Sequence, residues 1–177
     1  SETAEIHLTS FRKESLQGDS VLRSIYDNLN VSSHFEGDTL ILKKENKPLP
    51  TSLKLDLSKA PDIAQTIAVS CYGLGIGCDL VGLHTLKIKE TDRLEALNTE
   101  LSKLGATIKV TENSLHLSPG INFKENCSIP TYNDHRMAMA FAPLALKIPL
   151  QIEASDVVSK SYPDFWKDMK KLNFQLN

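Results

Sequence analysis

A duplicated spacing constrains the fold of this chain more than any other feature. Asp62 and Lys89 lie 27 positions apart and Asp134 and Lys160 lie 26 apart, while the two acids are separated by 72 positions and the two lysines by 71. Each acid stands at the head of an apolar helical stretch, and each lysine follows a second strand-like run. A chain that repeats strand, helix, strand and helix at a fixed period builds its core by stacking copies of one supersecondary unit.

In the fuller copy, Leu53-Lys54-Leu55-Asp56-Leu57 alternates as a strand. Pro61-Asp62 opens a helix carrying Ile63, Ala64, Ile67, Ala68 and Cys71 and ending near Gly73. Leu80-Val81-Gly82-Leu83 reads as the next strand. Leu94, Leu97, Leu101 and Leu104 mark one face of a second helix, which Gly105 stops. Residues 107–110 and 115–117 then form a hairpin around Glu112-Asn113.

The following copy runs from Cys127-Ser128-Ile129 into an apolar helix with a polar head, Tyr132-Asn133-Asp134-His135-Arg136-Met137-Ala138-Met139-Ala140. Leu150-Gln151-Ile152-Glu153 alternates, Pro163 opens a last helix, and residues 174–176 read as a final strand. Ahead of both copies come strand-like Ile6-His7-Leu8 and a helix with Val21, Leu22, Ile25 and Leu29, led in by residues 15–19. A hairpin of residues 31–34 and 39–42 around Gly37-Asp38 completes what looks like a unit lacking its opening half. The expected architecture is one α/β domain, 1–177, with internal units of about 5–50, 51–120 and 121–177. The chain starts at Ser1-Glu2-Thr3-Ala4 without Met and runs straight into a strand, as a piece cut from something longer would.

The chemistry concentrates at Lys89-Glu90-Thr91-Asp92-Arg93. Asp92 with Glu95 reads as a capping box, so a helix begins near Asp92, with Lys89 and Glu90 in the turn before it and Arg93 in its first turn. Free backbone N–H groups and the positive end of the helix dipole point the same way. With Lys89 and Arg93 they make a place for an anion, and Glu90 stands beside it as a proton carrier. Asp62, His135-Arg136 and Lys160 also fall at expected helix starts. If the copies pack alike, these ends share one positive face, suited to phosphate or carboxylate. Taken singly, each has a plainer reading: a solvated charged helix start, an aspartate cap, a structural histidine, a solvated lysine.

Hydrophobic content of 41% and charged content of 24% are globular values. A net charge of −2 provides no overall field toward nucleic acid or membrane, so neither is an expected partner and any anion site is built locally. No apolar run reaches membrane-spanning length. Cys71, Cys78 and Cys127 are odd in number, and Cys71 and Cys78 lack metal-ligand spacing with any nearby histidine, so the three read as free core thiols in a reducing compartment, the cytoplasm. No metal site and no cofactor is expected.

Three stretches carry a family resemblance: Lys89-Glu90-Thr91-Asp92-Arg93, Tyr132-Asn133-Asp134-His135-Arg136-Met137-Ala138-Met139, and Lys160-Ser161-Tyr162-Pro163-Asp164-Phe165. In this order they resemble the signatures of the 5-enolpyruvylshikimate-3-phosphate synthases. Gln17-Gly18-Asp19 and Pro61-Asp62 with Thr66-Ile67-Ala68 fit the same pattern. The resemblance covers essentially the whole chain, but only the carboxyl-terminal half of such an enzyme. It implies an enolpyruvyl transferase-like domain of three βαβαββ-type units, one of two domains that close on substrates, with helices buried beneath outward-facing sheets. The missing amino-terminal domain would be its partner. A sugar-nucleotide relative, the UDP-N-acetylglucosamine enolpyruvyl transferases, shares that fold without these signatures, and a non-catalytic anion-binding module is the other alternative.

The implied reaction moves the enolpyruvyl group of phosphoenolpyruvate onto the 5-hydroxyl of shikimate 3-phosphate and releases phosphate. By resemblance, Arg93 and Arg136 clamp phosphoenolpyruvate, with Lys160 as a third cation. Guanidinium suits both its carboxylate and its phosphate. Asp62 is implied as the base near the 5-hydroxyl, with Lys89 contacting the same part of shikimate 3-phosphate and sharing that role. Glu90 is implied as the acid toward the methylene carbon, close to phosphoenolpyruvate, and His135 as its assistant. Asp92 and Asp134 are assigned to capping and to orienting their basic neighbours. Thr85 occupies the place of a substrate-contacting asparagine in some family members. The fragment alone is expected to fold but not to turn over, because half a cleft cannot exclude water.

Overall fold

The computed structural model describes residues 3–9, 11–15 and 17–176. Ser1 and Glu2 of the opening segment, and Leu16 in the lead into the first helix, lie outside the described residues. The chain forms two compact units, residues 1–51 and 52–177.

The first unit holds strand β1 (Ala4–Thr9), helix α1 (Leu22–Asp27) and the hairpin of β2 (Val31–Glu36) and β3 (Thr39–Lys44). Its sheet runs β1-β3-β2, antiparallel throughout. Leu8, Leu40 and Phe35 lie in register on one face, while Glu5 and His7 are exposed on the other. This period-two alternation turns a single apolar face inward. The expected lead-in of residues 17–21 is a 3-10 turn, Gly18–Val21, continuous with α1.

The second unit opens with strand β4 (Ser52–Asp56), a 3-10 turn at Pro61–Ile63 and helix α2 (Ala64–Leu74). Strand β5 (Gly77–Val81), a 3-10 turn at His84–Ile88 and helix α3 (Arg93–Lys103) follow, then strands β6 (Ile108–Val110) and β7 (Ser114–Leu117). The four strands pair in the order β4-β5-β7-β6, with β4 and β5 parallel and the rest antiparallel. Register lines up Leu53, Cys78, Leu117 and Ile108 as one apolar row, and Lys54, Asp79, His116 and Lys109 as a polar row on the opposite face. Helix α2 is apolar nearly all round and accordingly buried, including Ile67, Ala68 and Cys71 at 0% exposure. The expectation of helices beneath outward-facing sheets therefore holds in this unit.

The same start recurs as strand β8 (Ser128–Ile129), helix α4 (His135–Phe141) and strand β9 (Gln151–Ile152), again parallel, followed by a 3-10 turn at Ser155–Lys160 and helix α5 (Phe165–Lys171). The β1-β3-β2 sheet repeats the order β5-β7-β6, with a helix in the same place. The first unit is thus a half-unit, as its sequence indicates.

Helix α3 shows why its boundaries were readable. Asp92 accepts hydrogen bonds from the N–H groups of Leu94 and Glu95, both at 3.1 Å, the geometry of an N-cap that contributes about 1 kcal/mol. Glu95 does not complete a capping box by way of its carboxylate as expected; that group accepts from Asn98 and Thr99 instead. Leu94, Leu97, Leu101 and Leu104 are each 0% exposed. Gly105 ends the helix at φ 103°, where a β-carbon would stand 2.0 Å from the Asn122 carbonyl oxygen.

Further expectations need correction. Residues 174–176 are not a strand: Phe174 and Leu176 pack as coil on the cluster of Ala138, Ala142, Val157, Val158, Phe165 and Met169, and that burial holds them without a ladder. Pro163 does not open α5, which starts at Phe165 with Asp164 at its N-cap. Pro163 has no N–H to continue the turn from Ser155–Lys160, and it biases Tyr162 away from helical geometry. The second strand of the middle unit stops at Val81 rather than Leu83, because Gly82 turns the chain at φ 80°. Cys71 and Cys78 are buried free thiols, but Cys127 is only partly covered.

Candidate functional site

The residues marked by sequence converge within the second unit. Asp62 lies in the 3-10 turn before α2, and Lys89 immediately follows the turn before α3. Arg93 is the first residue of α3, and His135 and Arg136 are the first two of α4. Lys160 is the last residue of the 3-10 turn Ser155–Lys160, well before α5. It was expected at a helix start. The structural repeat nevertheless holds, since Lys89 directly follows, and Lys160 ends, a 3-10 turn after the second strand of its copy.

Asp62 is the centre of the cationic cluster. The Lys89 ammonium lies 3.1 Å from Oδ1, Arg93 Nη1 donates to Oδ1 at 2.9 Å, and Arg136 Nη2 stands 4.0 Å from Oδ2. Arg136 also donates through Nη1 to the Asp62 backbone carbonyl at 3.2 Å. Partial burial disfavours the charged carboxylate. The Lys89 hydrogen bond and the charges of Lys89, Arg93 and Arg136 outweigh it and hold Asp62 below its ordinary pKa. Asp62 is therefore ionised and wrapped by cations.

Arg93 is only 2% exposed. Its Nε donates to Asp134 Oδ2 at 2.6 Å and its Nη2 to Glu90 Oε2 at 2.7 Å, so three carboxylates surround one guanidinium. Asp134 is 0% exposed; it also caps α4 through the Arg136 N–H at 2.8 Å and accepts from Gln65 Nε2 at 3.3 Å. The His135 ring nitrogen Nδ1 lies 4.0 Å from Asp134 Oδ1. Lys160 Nζ donates to the Asn133 carbonyl at 3.0 Å and to its Oδ1 at 2.7 Å. Asp62, Lys89, Glu90, Arg93, His135 and Arg136 are thus joined in one network through Asp134, and Asn133 carries Lys160 to its border. The Thr85 hydroxyl is buried and finds no hydrogen-bond partner among the described residues.

The arrangement differs in one respect from two arginines simply aimed at a ligand. Asp134 fixes the inner edge of Arg93, leaving only the edge shared by Asp62 and Glu90 to exchange partners. Sequence reasoning placed Asp134 as a cap and an orienter but did not find it as the buried counter-ion, and it passed over Gln65 altogether. The available signal for Gln65 was the one amide in a mostly apolar helix, three residues after Asp62. Among the described residues, no three His, Cys, Asp or Glu side chains gather as metal ligands, and no helix is long and apolar enough to cross a membrane.

A fold of this kind, with repeated βαβα units, is that of the enolpyruvyl transferases. EPSP synthase from Acinetobacter baumannii superposes with a TM-score of 0.74 over 94% of this chain and 41% of its own, at 17% identity. The enolpyruvyl transferase NikO from Streptomyces tendae matches with a TM-score of 0.62 over 87% of this chain and 35% of its own, at 16% identity. The sequence is more particular. A family-wide profile described as EPSP synthase (3-phosphoshikimate 1-carboxyvinyltransferase) matches residues 1–169. A 3-phosphoshikimate 1-carboxyvinyltransferase of Bacteroides fragilis is 42% identical over 97% of this chain, and one of Clostridium novyi 36% identical over 90%. The chain belongs to the EPSP synthase family. It spans 42% of the length of the Bacteroides fragilis relative and 36% of that of the Clostridium novyi relative.

Proposed function

We propose that this chain is the carboxyl-terminal half of a cytoplasmic enzyme that transfers the enolpyruvyl group of phosphoenolpyruvate to the 5-hydroxyl of shikimate 3-phosphate, releasing phosphate. The observation that carries the reading is the Asp62 carboxylate surrounded by Lys89, Arg93 and Arg136. Without ligand, the carboxylates of Asp62 and Glu90 hold the cations. An incoming phosphoenolpyruvate offers its own carboxylate and phosphate to the same donors, with Lys160 as a further cation, and bidentate guanidinium pairs favour the exchange.

The exchange readies the acid–base groups. Asp62 loses the positive charges that depress its basicity and becomes a competent acceptor for the 5-hydroxyl proton. Lys89 shares that end of the site and steadies the shikimate 3-phosphate oxygen. In the addition step, the 5-oxygen bonds to C2 of phosphoenolpyruvate while the methylene carbon gains a proton from Glu90, released from Arg93 and assisted by His135. In the elimination step, the C2–O bond to phosphate breaks and the methyl carbon returns a proton. The missing amino-terminal domain supplies the opposite wall of the cleft, and closure removes water from these charges.

The test is phosphate release from phosphoenolpyruvate plus shikimate 3-phosphate after the chain is combined with the amino-terminal half of the enzyme. Release that disappears with Glu90→Gln supports the reading. Absence of release from folded, associated halves sinks it and turns attention to a sugar-nucleotide acceptor.

A further inference from the structure

Tyr132 and Asn133 are consecutive non-glycine residues with left-handed backbones, at φ 54° and 58°. Asparagine visits that region readily. Tyrosine does not, and only surrounding structure keeps it there. The Tyr132 hydroxyl donates to Glu100 Oε1 at 2.5 Å, and Glu100 is 0% exposed although it is a carboxylate. Glu100 lies seven residues after Arg93, two turns along the same face of α3. The Lys103 ammonium pairs with its other oxygen and donates to the Ser128 carbonyl at 3.1 Å. Burial, and then the Glu100 acceptor, keep the Tyr132 phenol protonated well above the usual tyrosine range.

The turn that Glu100 anchors has two outputs. It leads directly into Asp134, the counter-ion of Arg93. It also presents the Asn133 carbonyl and Oδ1 together toward the Lys160 ammonium. We propose that Tyr132, held by Glu100, is a positioning residue that sets where the Lys160 ammonium stands beside the Asp134-His135-Arg136 segment. Helix α3 then positions both ends of the cation set, Arg93 at its first residue and Lys160 through Glu100, Tyr132 and Asn133. The importance of this for catalysis rests on the reading of Lys160 as a phosphoenolpyruvate contact.

The test reads Lys160 itself. Limiting acetic anhydride is applied to the full chain, and acylation is followed by peptide mass spectrometry, with Lys87, paired to Glu112 at 2.7 Å, as internal reference. Tyr132→Phe is expected to raise Lys160 labelling relative to Lys87 by about fivefold, the scale of one lost net hydrogen bond. Glu100→Gln, which keeps a weaker neutral acceptor, gives a smaller rise. An unchanged ratio in a Tyr132→Phe chain with native circular dichroism overturns the proposal. If that variant does not fold, an unchanged ratio in Glu100→Gln overturns it equally. A separate arm asks whether phosphoenolpyruvate protects Lys160 from acylation in the combined halves. Lack of protection defeats the functional reading while leaving the positioning result standing.

Discussion

Arg93 and Asp134 form a buried ion pair that joins two copies of the repeated unit: Nε to Oδ2 at 2.6 Å, with Arg93 2% and Asp134 0% exposed. Neither charge tolerates burial alone. The arginine is at the head of α3 and the aspartate caps α4, so one contact fixes the relative placement of both helix starts. The cation cluster depends on it.

Breaking this pair from the aspartate side leaves Arg93 with less compensation in a dry environment. Asp134→Ala is expected to lower unfolding free energy by about 3–5 kcal/mol, the usual cost of stranding one buried charge. Urea denaturation followed by circular dichroism measures it. A loss under 1 kcal/mol would mean that Asp62 and Glu90 suffice to hold the guanidinium.

The leucine face of α3 predicts an effect independent of charge. Leu97 is 0% exposed, and Leu97→Ala removes three buried carbons and opens a cavity. The expected loss is about 2–5 kcal/mol by the same denaturation measurement, with the midpoint shifted and the slope unchanged.

Asp62 predicts a pH dependence. Its folded pKa lies below the ordinary 3.8, so the unfolded chain binds more protons in the interval between the two values. Asp62 therefore contributes stability that is fully present above 3.8 and fades as pH falls through its lower folded value. Asp62→Asn should flatten the acid limb of stability against pH. Thermal unfolding of both chains between about pH 2 and pH 6 decides, and parallel acid limbs would refute the assignment.

Gly105 predicts a backbone effect. At φ 103°, alanine is strained, and its β-carbon would meet the Asn122 carbonyl oxygen at 2.0 Å. Gly105→Ala is expected to destabilise by more than about 1 kcal/mol, where the same change at a compatible site would stabilise. Differential scanning calorimetry gives the sign directly.

For catalysis, Arg136 offers the sharpest arithmetic. With the halves combined, Arg136→Ala removes a charge-assisted contact and is expected to raise KM for phosphoenolpyruvate by about tenfold or more, since about 1.4 kcal/mol is one decade. Initial rates over a phosphoenolpyruvate series test it. An unchanged KM would take Arg136 out of the anion site.

Much of this was legible in the chain because local rules and tertiary demands agree. The leucine spacing and Asp92 define α3, Gly105 ends it, and the duplicated acid–lysine spacing announces two copies of one unit. The motif residues were expected at helix starts sharing one face; Arg93, His135 and Arg136 stand at such starts, while Lys160 ends a 3-10 turn. Other features were hidden because local chemistry does not encode distance across the fold. Phe174 and Leu176 alternate like a strand, yet they join no sheet among the described residues, and an apolar cluster takes them as coil. Lys160 looked like a helix start because Pro163 follows it, whereas the missing N–H of that proline separates the preceding turn from α5.

By itself, the sequence determined the periodic elements, the half-unit at the front, the family motifs and the residue types available for anion chemistry. These follow from hydrophobic period, capping and glycine placement, all of which act over a few residues. Only the tertiary structure decided that Asp134 neutralises Arg93, that Asp62 gathers three cations, and that Glu100 reaches Tyr132. Those pairs lie 41, 31 and 32 positions apart where Arg93 meets Asp134, Arg93 meets Asp62 and Tyr132 meets Glu100. Burial makes such contacts strong, and burial is a property of the packed whole.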